Sequence, residues 1–312
     1  MIYGIWTSWN FNKVLEIKMD QHKKHDIFYY MVCMFMPILT CILVQYVLAM
    51  IEVEILAIKV IADYTGGGMA GYYDMLFEAS SSSTAMGCVY IAYCAVCIPL
   101  FIYLYFKEFR DKKPLVKGVS DNVPFTILGI ILFAIGAQYV CGYIMNVVAA
   151  VMPAWLDEYT QLIESAGLGD DMSFIMIIYS AILAPVLEDF AFRGITFKAA
   201  RKIMPWYVAI IVQAILFGAF HMNAMQGIYA GALGLGLGYI MYRYDNLLIT
   251  IIVHFVFNIL GTVFSQYLVM GGNTVITFFL WVLGSLVVTY GGMVLLSIGA
   301  PGLKIKDNSA DI

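Results

Sequence analysis

The chain has 312 residues, of which 62% are hydrophobic and only 12% charged, with a formal net charge of −4. A soluble domain carries roughly 45–50% apolar and about 25% charged residues. Together with a mean hydropathy of +0.86, this composition excludes an ordinary soluble globule and points to an all-α polytopic bundle in a membrane, with lipid as its first partner. The few charges lie in separate loops, so nothing in their balance suggests nucleic acid.

Residues 1–26 are polar, contain His22 and His25, and lack a signal-peptide pattern. They read as a cytoplasmic N-terminal segment, and the first span is expected to act as an uncleaved signal-anchor. Eight apolar runs of about the length a bilayer requires follow. They cover residues 27–51, 84–106, 124–151, 172–195, 206–222, 225–242, 247–268 and 274–298. The first three, with their connections, make up residues 27–170. Between the first two runs, residues 52–83 contain TGGGMAGYY and SSSS. They read as an external loop, with at most a short amphipathic turn. Cys33, Cys41, Cys88, Cys94, Cys97 and Cys141 all fall inside apolar runs. The CxxC of Cys94 and Cys97 lies within a span and reads as small buried hydrophobes. The loop from Pro153 to Asp171 holds five acids and no base. The sixth run spaces Gly227, Gly231, Gly234 and Gly238 on one helix face, where small residues let helices approach closely in lipid. Residues 171–270 form a core unit. Residues 271–312 supply the last span and a cytoplasmic tail.

The positive-inside rule orients this map. With the N-terminus cytoplasmic, every one of the 17 basic residues except Lys59 falls on the inner side or in its loops. The expectation is therefore eight spans with both termini inside.

Of the 21 acidic residues, Glu188 and Asp189 alone fall well inside an apolar run, APVLEDFAFRGITF. Arg193 follows in the same run. Of the four histidines, His221 and His254 lie in spans, and Asn258 is one turn beyond His254. An ionised group near mid-helix costs roughly 2.5–3.5 kcal/mol on insertion scales, so these groups must face each other or a wet cavity. Asp189 and Arg193 are i,i+4 with the acid first, the favourable order for a helical ion pair. Glu188, about 100° away, is the carboxylate left free for chemistry. Phe217 and His221, and His254 and Asn258, are also i,i+4. Taken singly, each has a structural reading: a membrane histidine as an interhelical hydrogen-bond partner, Asn258 as polar glue, Arg193 as a snorkelling anchor. Taken together, a free acid, two imidazoles and an amide form a hydrolytic constellation.

The order E-D-x-x-F-R-G, F-x-x-x-H, H-x-x-x-N on successive apolar helices resembles the three motifs of the CPBP intramembrane proteases. This is the CAAX-processing or Abi family, which includes the type II CAAX prenyl endopeptidases. The resemblance covers about Phe174 to Leu260 and rests on Glu188, Asp189, Arg193, Phe217, His221, His254 and Asn258. Asp189 stands where the family usually has a second Glu. The resemblance implies endoproteolysis of a peptide or membrane-protein substrate, within a helical cavity open toward the cytoplasm, in a bacterial plasma membrane. Glu188 would be general base on a water. His221 would hold that water, and His254 and Asn258 would donate to the developing oxyanion. Asp189, Arg193 and Phe217 would support them.

The metalloprotease label attached to the family raises an alternative, Zn²⁺ on His221, His254 and Glu188 with one open position. The chain has no HExxH, and Asn is a poor zinc ligand, so a metal-free glutamate mechanism is preferred. Two other functions compete. One is a non-catalytic immunity or scaffold protein of the bacteriocin self-immunity type on the same fold. The other is an ion or proton transporter using the Glu/His cluster as a relay, although no inverted halves are visible. One geometric tension remains. Counted from Trp206, His221 falls near the outer end of its span, whereas Glu188 and His254 lie roughly 10 Å from the inner face at 1.5 Å per residue.

Overall fold

Each of the eight apolar runs is helical in the computed structural model, which describes residues 21–66, 68–110, 120–165 and 172–300. Lipid offers no hydrogen bonds, so a spanning chain must satisfy its backbone within itself, and helices do so. No strand occurs among the described residues. The helices, in chain order, are α1 (Gln21–Asp63), α2 (Gly68–Ser80), α3 (Ser83–Phe109) and α4 (Val123–Val151). They continue as α5 (Pro153–Ser165), α6 (Phe174–Ala200), α7 (Trp206–Phe220), α8 (Ala224–Tyr244), α9 (Leu247–Thr262) and α10 (Val275–Gly299). Polar residues start them: the side chains of Ser82, Ser173, Asn223 and Asn246 each cap a backbone N–H of the following turn. Thr274 and Thr277 form a reciprocal capping box at α10.

Five helices are long and apolar enough to cross a membrane: α1, α3, α4, α6 and α10. The helices α7, α8 and α9, of 15, 21 and 16 residues, do not meet both conditions. Large apolar side chains remain exposed along the long helices, Ile58 on α1 at 71% and Ile276 on α10 at 74%. Such faces are unfavourable in water and at home in lipid. The protein is an integral, multi-pass membrane protein.

Three sequence expectations are corrected. Residues 52–83 are not a loop, because α1 continues to Asp63 and α2 occupies Gly68–Ser80. Glu52, Glu54 and Lys59 argue against lipid, but they are good helix formers among Ile, Leu, Val and Ala, so the helix outlasts the apolar run. At 43 residues α1 is about 65 Å long, roughly twice the hydrocarbon thickness. It ends before Gly66, whose φ of 135° suits glycine. The stretch after Val151 is likewise helical, with Pro153 opening α5 where a missing N–H does no harm. Finally, α9 stops at Thr262 rather than at residue 268, just after Gly261 and before the polar turn Ser265–Tyr267. The expected cytoplasmic N-terminal segment, apart from the start of α1, and the tail beyond residue 300 lie outside the described residues.

Two apolar clusters fill the interior. One gathers Cys41, Tyr93, Phe101, Leu187, Phe192 and Phe217 from α1, α3, α6 and α7. The other gathers Phe133, Leu237, Val253 and Leu296 from α4, α8, α9 and α10. The glycine face of α8 meets α7: Gly227 lies against the Gly218 carbonyl, and Gly234 against Ala214 and Phe217. A side chain on either helix would hold this hairpin apart. Gln213 of α7, fully buried, donates to the Gly234 carbonyl of α8 at 2.6 Å. The hairpin is anchored at its far end by Trp206 stacked on Tyr242, ring centroids 4.5 Å apart. Lys198 of α6 pairs there with Asp245, which leaves α8 in the left-handed conformation.

Candidate active site

The site is built on α6, and α6 is not a regular helix. Residues Tyr179–Leu183 and Asp189–Thr196 are wound as π-helix on either side of the α-turn Ala184–Glu188. Such wide turns are rare and concentrate at functional sites. Pro185 accounts for much of the first one. It has no N–H, and a proline inside a helix strips a carbonyl of its partner. The Ala184 N–H bonds to the Tyr179 carbonyl in the π pattern. The next carbonyl, Ser180, would then look to residue 185 and find no donor. Asn258 of α9 supplies one instead, its Nδ2 donating to the Ser180 oxygen at 2.8 Å.

The three charged residues of the run are all buried: Glu188 is 8% exposed, Asp189 and Arg193 0%. They are the only buried Asp, Glu, Lys or Arg among the described residues. His254, 2% exposed, meets both acids. Its Nδ1 donates to Asp189 Oδ2 at 2.9 Å, and its Nε2 lies 3.6 Å from Glu188 Oε2. The i,i+4 pair foreseen from the sequence is present but looser, with Arg193 Nε 3.5 Å from Asp189 Oδ1. The π winding is the reason, since residues four apart no longer stack as they do in an α-turn. Arg193 instead sets its guanidinium carbon 4.2 Å from the centre of the Phe217 ring. None of its three guanidinium nitrogens makes a hydrogen bond among the described residues.

Phe217 ties α7 to this group. Its ring lies edge-on to His254 at 5.8 Å and to His221 at 5.0 Å. His221 follows the last residue of α7, and its Nδ1 contacts the Phe217 carbonyl at 2.8 Å. A carbonyl only accepts, so Nδ1 carries the proton and Nε2 keeps a lone pair for a water. The start of α7 at Trp206 stands as expected, and the helix stops where Phe217 reaches the α6–α9 pair. The chain then turns through Met222, at φ 51°, into α8.

The structure thus joins Glu188, Asp189, Arg193, Phe217 and His254 into one contact chain, with His221 attached through Phe217. Asn258 belongs to the same face of α9 but engages α6 a level away, at Ser180. Sequence reasoning missed two links, Asp189 to His254 and Asn258 to Ser180. The second had a signal, a proline five residues after Ser180 in an apolar helix. The first had none, because the partners are 65 residues apart. Among the described residues no three of His, Cys, Asp and Glu group as metal ligands. A groove of about 680 Å³ runs between α7 and α8, lined by Ile215, Gly218, Met222, Gly227 and Trp155 of α5. Glu188, His221, His254 and Asn258 are not in its lining.

Residues 170–260, which contain all of these groups, match the family described as type II CAAX prenyl endopeptidase Rce1-like. The match agrees with the resemblance of this segment to the CPBP family. The protein named "Putative membrane peptidase YdiL", from Bacillus subtilis (strain 168), is 26% identical over 162 residues. That alignment takes in 51% of this chain and 64% of the relative, so the chain spans less than two thirds of the relative's length. No solved structure matches. The matched segment coincides with α6 to α9, and α1 and α3, which lie outside it, pack against α6.

Proposed function

We propose that the protein is an intramembrane endopeptidase of the CAAX-protease type. In this reading α1, α3, α4 and α6 to α10 are the eight crossings, both termini are cytoplasmic, and the site opens toward the cytoplasm of a bacterial cell. What supports it most is the meeting of Glu188 and His254 in a buried site within the matched segment.

Glu188 takes a proton from a water, and the hydroxide attacks the scissile carbonyl. His221, with Nδ1 on the Phe217 carbonyl, accepts from the same water through Nε2. His254 and Asn258 stand on the side where the oxyanion develops. His254 has only Nε2 to offer there, since Nδ1 is committed to Asp189. Asn258 must leave Ser180 to serve in the same way. Each step is carried by side chains, and no metal is invoked.

The test uses the purified protein, a farnesylated peptide ending in a CaaX sequence, and the membrane peptides of producing cells. Wild type should release a peptide absent with Glu188→Gln. The variant should lose about 100- to 10,000-fold in rate, the usual range for a general base, with its melting temperature unchanged. Equal cleavage by both proteins would end this reading. A stoichiometric zinc, lost and regained together with activity, would replace the water-and-glutamate step.

A further inference from the structure

We infer that the arm formed by the outlying end of α1 and by α2 is a docking surface for a cationic amphipathic helix. This docking role is independent of the peptidase reading and of which way the chain faces.

Length takes the arm out of the bilayer. The apolar run of α1 begins at Ile27. A helix tilted by about 40°, the upper end of the usual range, needs about 26 residues to cross about 30 Å of hydrocarbon. The crossing is then complete near Glu52, the first charged residue after Asp26, and Glu54 and Lys59 follow it. The rest of α1, to Asp63, projects about 16 Å further. After a short turn α2 packs against α1. The Tyr64 hydroxyl donates to the Gly68 carbonyl, and the Tyr64 ring lies edge-on to Tyr72 with centroids 6.1 Å apart. These contacts hold the turn.

Both helices turn apolar side chains outward on this arm. Ile55, Ile58 and Ile61 follow at three-residue steps and cover one face of α1. Met69, Tyr73 and Phe77 follow at four-residue steps and line one face of α2. All six are 58–72% exposed. Beyond the hydrocarbon, adjoining apolar faces of this kind mark an interaction site.

Charge says what fits there. Glu54, one turn before Ile58, shares the isoleucine face, while Asp74 and Glu78 flank the apolar face of α2, and all three are exposed. The Ser173 N–H donates to Ser83 Oγ at 3.1 Å, which sets the start of α6 beside the start of α3. The helices that precede these two, α5 and α2, therefore lie at the same end of the bundle. To that end α5 adds the exposed Asp157, Glu158 and Glu164. Among the described residues this end carries eight acids, with Lys59 as the one basic residue. A bilayer surface is a poor match, because interfacial helices keep Lys and Arg on their polar side for anionic headgroups. A second copy of the arm brings the same acids and would repel. A helix with Lys or Arg beside its apolar residues meets both demands, apolar contact on the two faces and charge pairing around them.

The experiment places the full chain in nanodiscs of zwitterionic lipid and titrates a fluorescent amphipathic peptide of leucine and lysine. Its controls are empty nanodiscs, the same peptide with glutamate for lysine, and a scrambled sequence of equal composition. The leucine–lysine peptide should bind loaded discs about tenfold or more tighter than empty discs, and by the same margin tighter than either control peptide. Binding should weaken as salt rises, since surface charges are screened. Ile55→Ser with Ile58→Ser, and separately Asp74→Asn with Glu78→Gln, should each cost about tenfold in affinity. All four side chains are exposed, so the melting temperature should hold. Equal binding to loaded and empty discs overturns the docking role. So does equal binding of the lysine and glutamate peptides, or an affinity that survives both pairs of substitutions. If a variant does not fold, the contrast between those two peptides on wild type decides. Two other occupants are read directly. A dimer that is lost on Ile55→Ser with Ile58→Ser would assign the face to a second copy. Quenching by brominated acyl chains of a bimane at Ile58→Cys, in a chain whose exposed Cys88 is replaced by Ala, would assign it to lipid. Either result overturns the docking role.

Discussion

The α4–α10 interface and the α6–α9 interface are both buried helix pairs, and they are held by opposite means. Between α4 and α10, glycine does the work. Gly136 faces the Thr289 backbone, Gly292 faces the Phe133 backbone, and Gly129 faces Leu296. Polar bonds lie toward its two ends: Tyr244 donates to the Leu296 carbonyl at 2.7 Å and Ser120 to the Gly299 carbonyl at 2.9 Å at one, and Tyr143 of α4 to the Gly271 carbonyl at 2.8 Å at the other. Between α6 and α9 the contacts that matter are polar and lie mid-helix: Asp189 with His254, and Asn258 with Ser180. In lipid there is no hydrophobic drive to bring helices together, so close packing and hydrogen bonds divide the task. Here the α4–α10 pair relies on close packing and the α6–α9 pair on buried polar groups. Stability and chemistry should accordingly separate on mutation.

The strongest way to break that division is to overfill the glycine interface. Gly292→Leu would place a side chain against the Phe133 backbone, which cannot step aside. A loss of about 3 kcal/mol, the upper end for overpacking, should appear as a lower melting temperature. Cleavage per folded molecule should stay at the wild-type rate. A fall in that rate at full stability would show that the two halves are not separable.

A smaller effect sharpens the polar side. Asn258→Ala strands the Ser180 carbonyl and should cost about 1–2 kcal/mol, as for an unsatisfied buried acceptor. Pro185→Ala restores an N–H within reach of that carbonyl, so Asn258→Ala should cost much less in the Pro185→Ala background. Denaturation of the four proteins as a double-mutant cycle measures the coupling. Additive losses would mean that Asn258 does not stand in for the proline's missing donor.

The smallest effect is expected at the helix ends. Lys198 and Asp245 are 15% and 31% exposed, and partly solvated pairs contribute about 1 kcal/mol or less. Lys198→Ala should move the melting temperature slightly and the cleavage rate not at all. A large loss there would make the α6–α8 tie a third structural centre.

These contrasts also show what could be read from the sequence. The positions of all eight apolar helices were legible, because predominantly apolar stretches of about 15 or more residues leave the backbone few options. Helix ends were less so. At Glu52 and Lys59 charge argues against lipid but says nothing against helix, and α1 runs on to Asp63. The site residues were legible as a set, since Glu188, Asp189, His221 and His254 are polar where lipid is expected. Their pairing was not. Spacing rules see four residues along one α-helix, whereas here a π-turn loosens Asp189 from Arg193 and a residue on α9 takes the better bond. Long-range partners of this kind leave no mark in local periodicity.

The brevity of α7 has a consequence for the membrane itself. Its 15 residues extend about 22 Å, and α9 with 16 residues about 24 Å, against a hydrocarbon thickness of about 30 Å. The neighbouring α4, at 29 residues, has length to spare. On the proposed reading, in which α7 and α9 are crossings, the bilayer must thin beside them. Local thinning of this sort has an elastic cost that depends on acyl-chain length. On that reading the lipid is a mechanical load on the hairpin that carries His221, and short-chain lipids should relieve it.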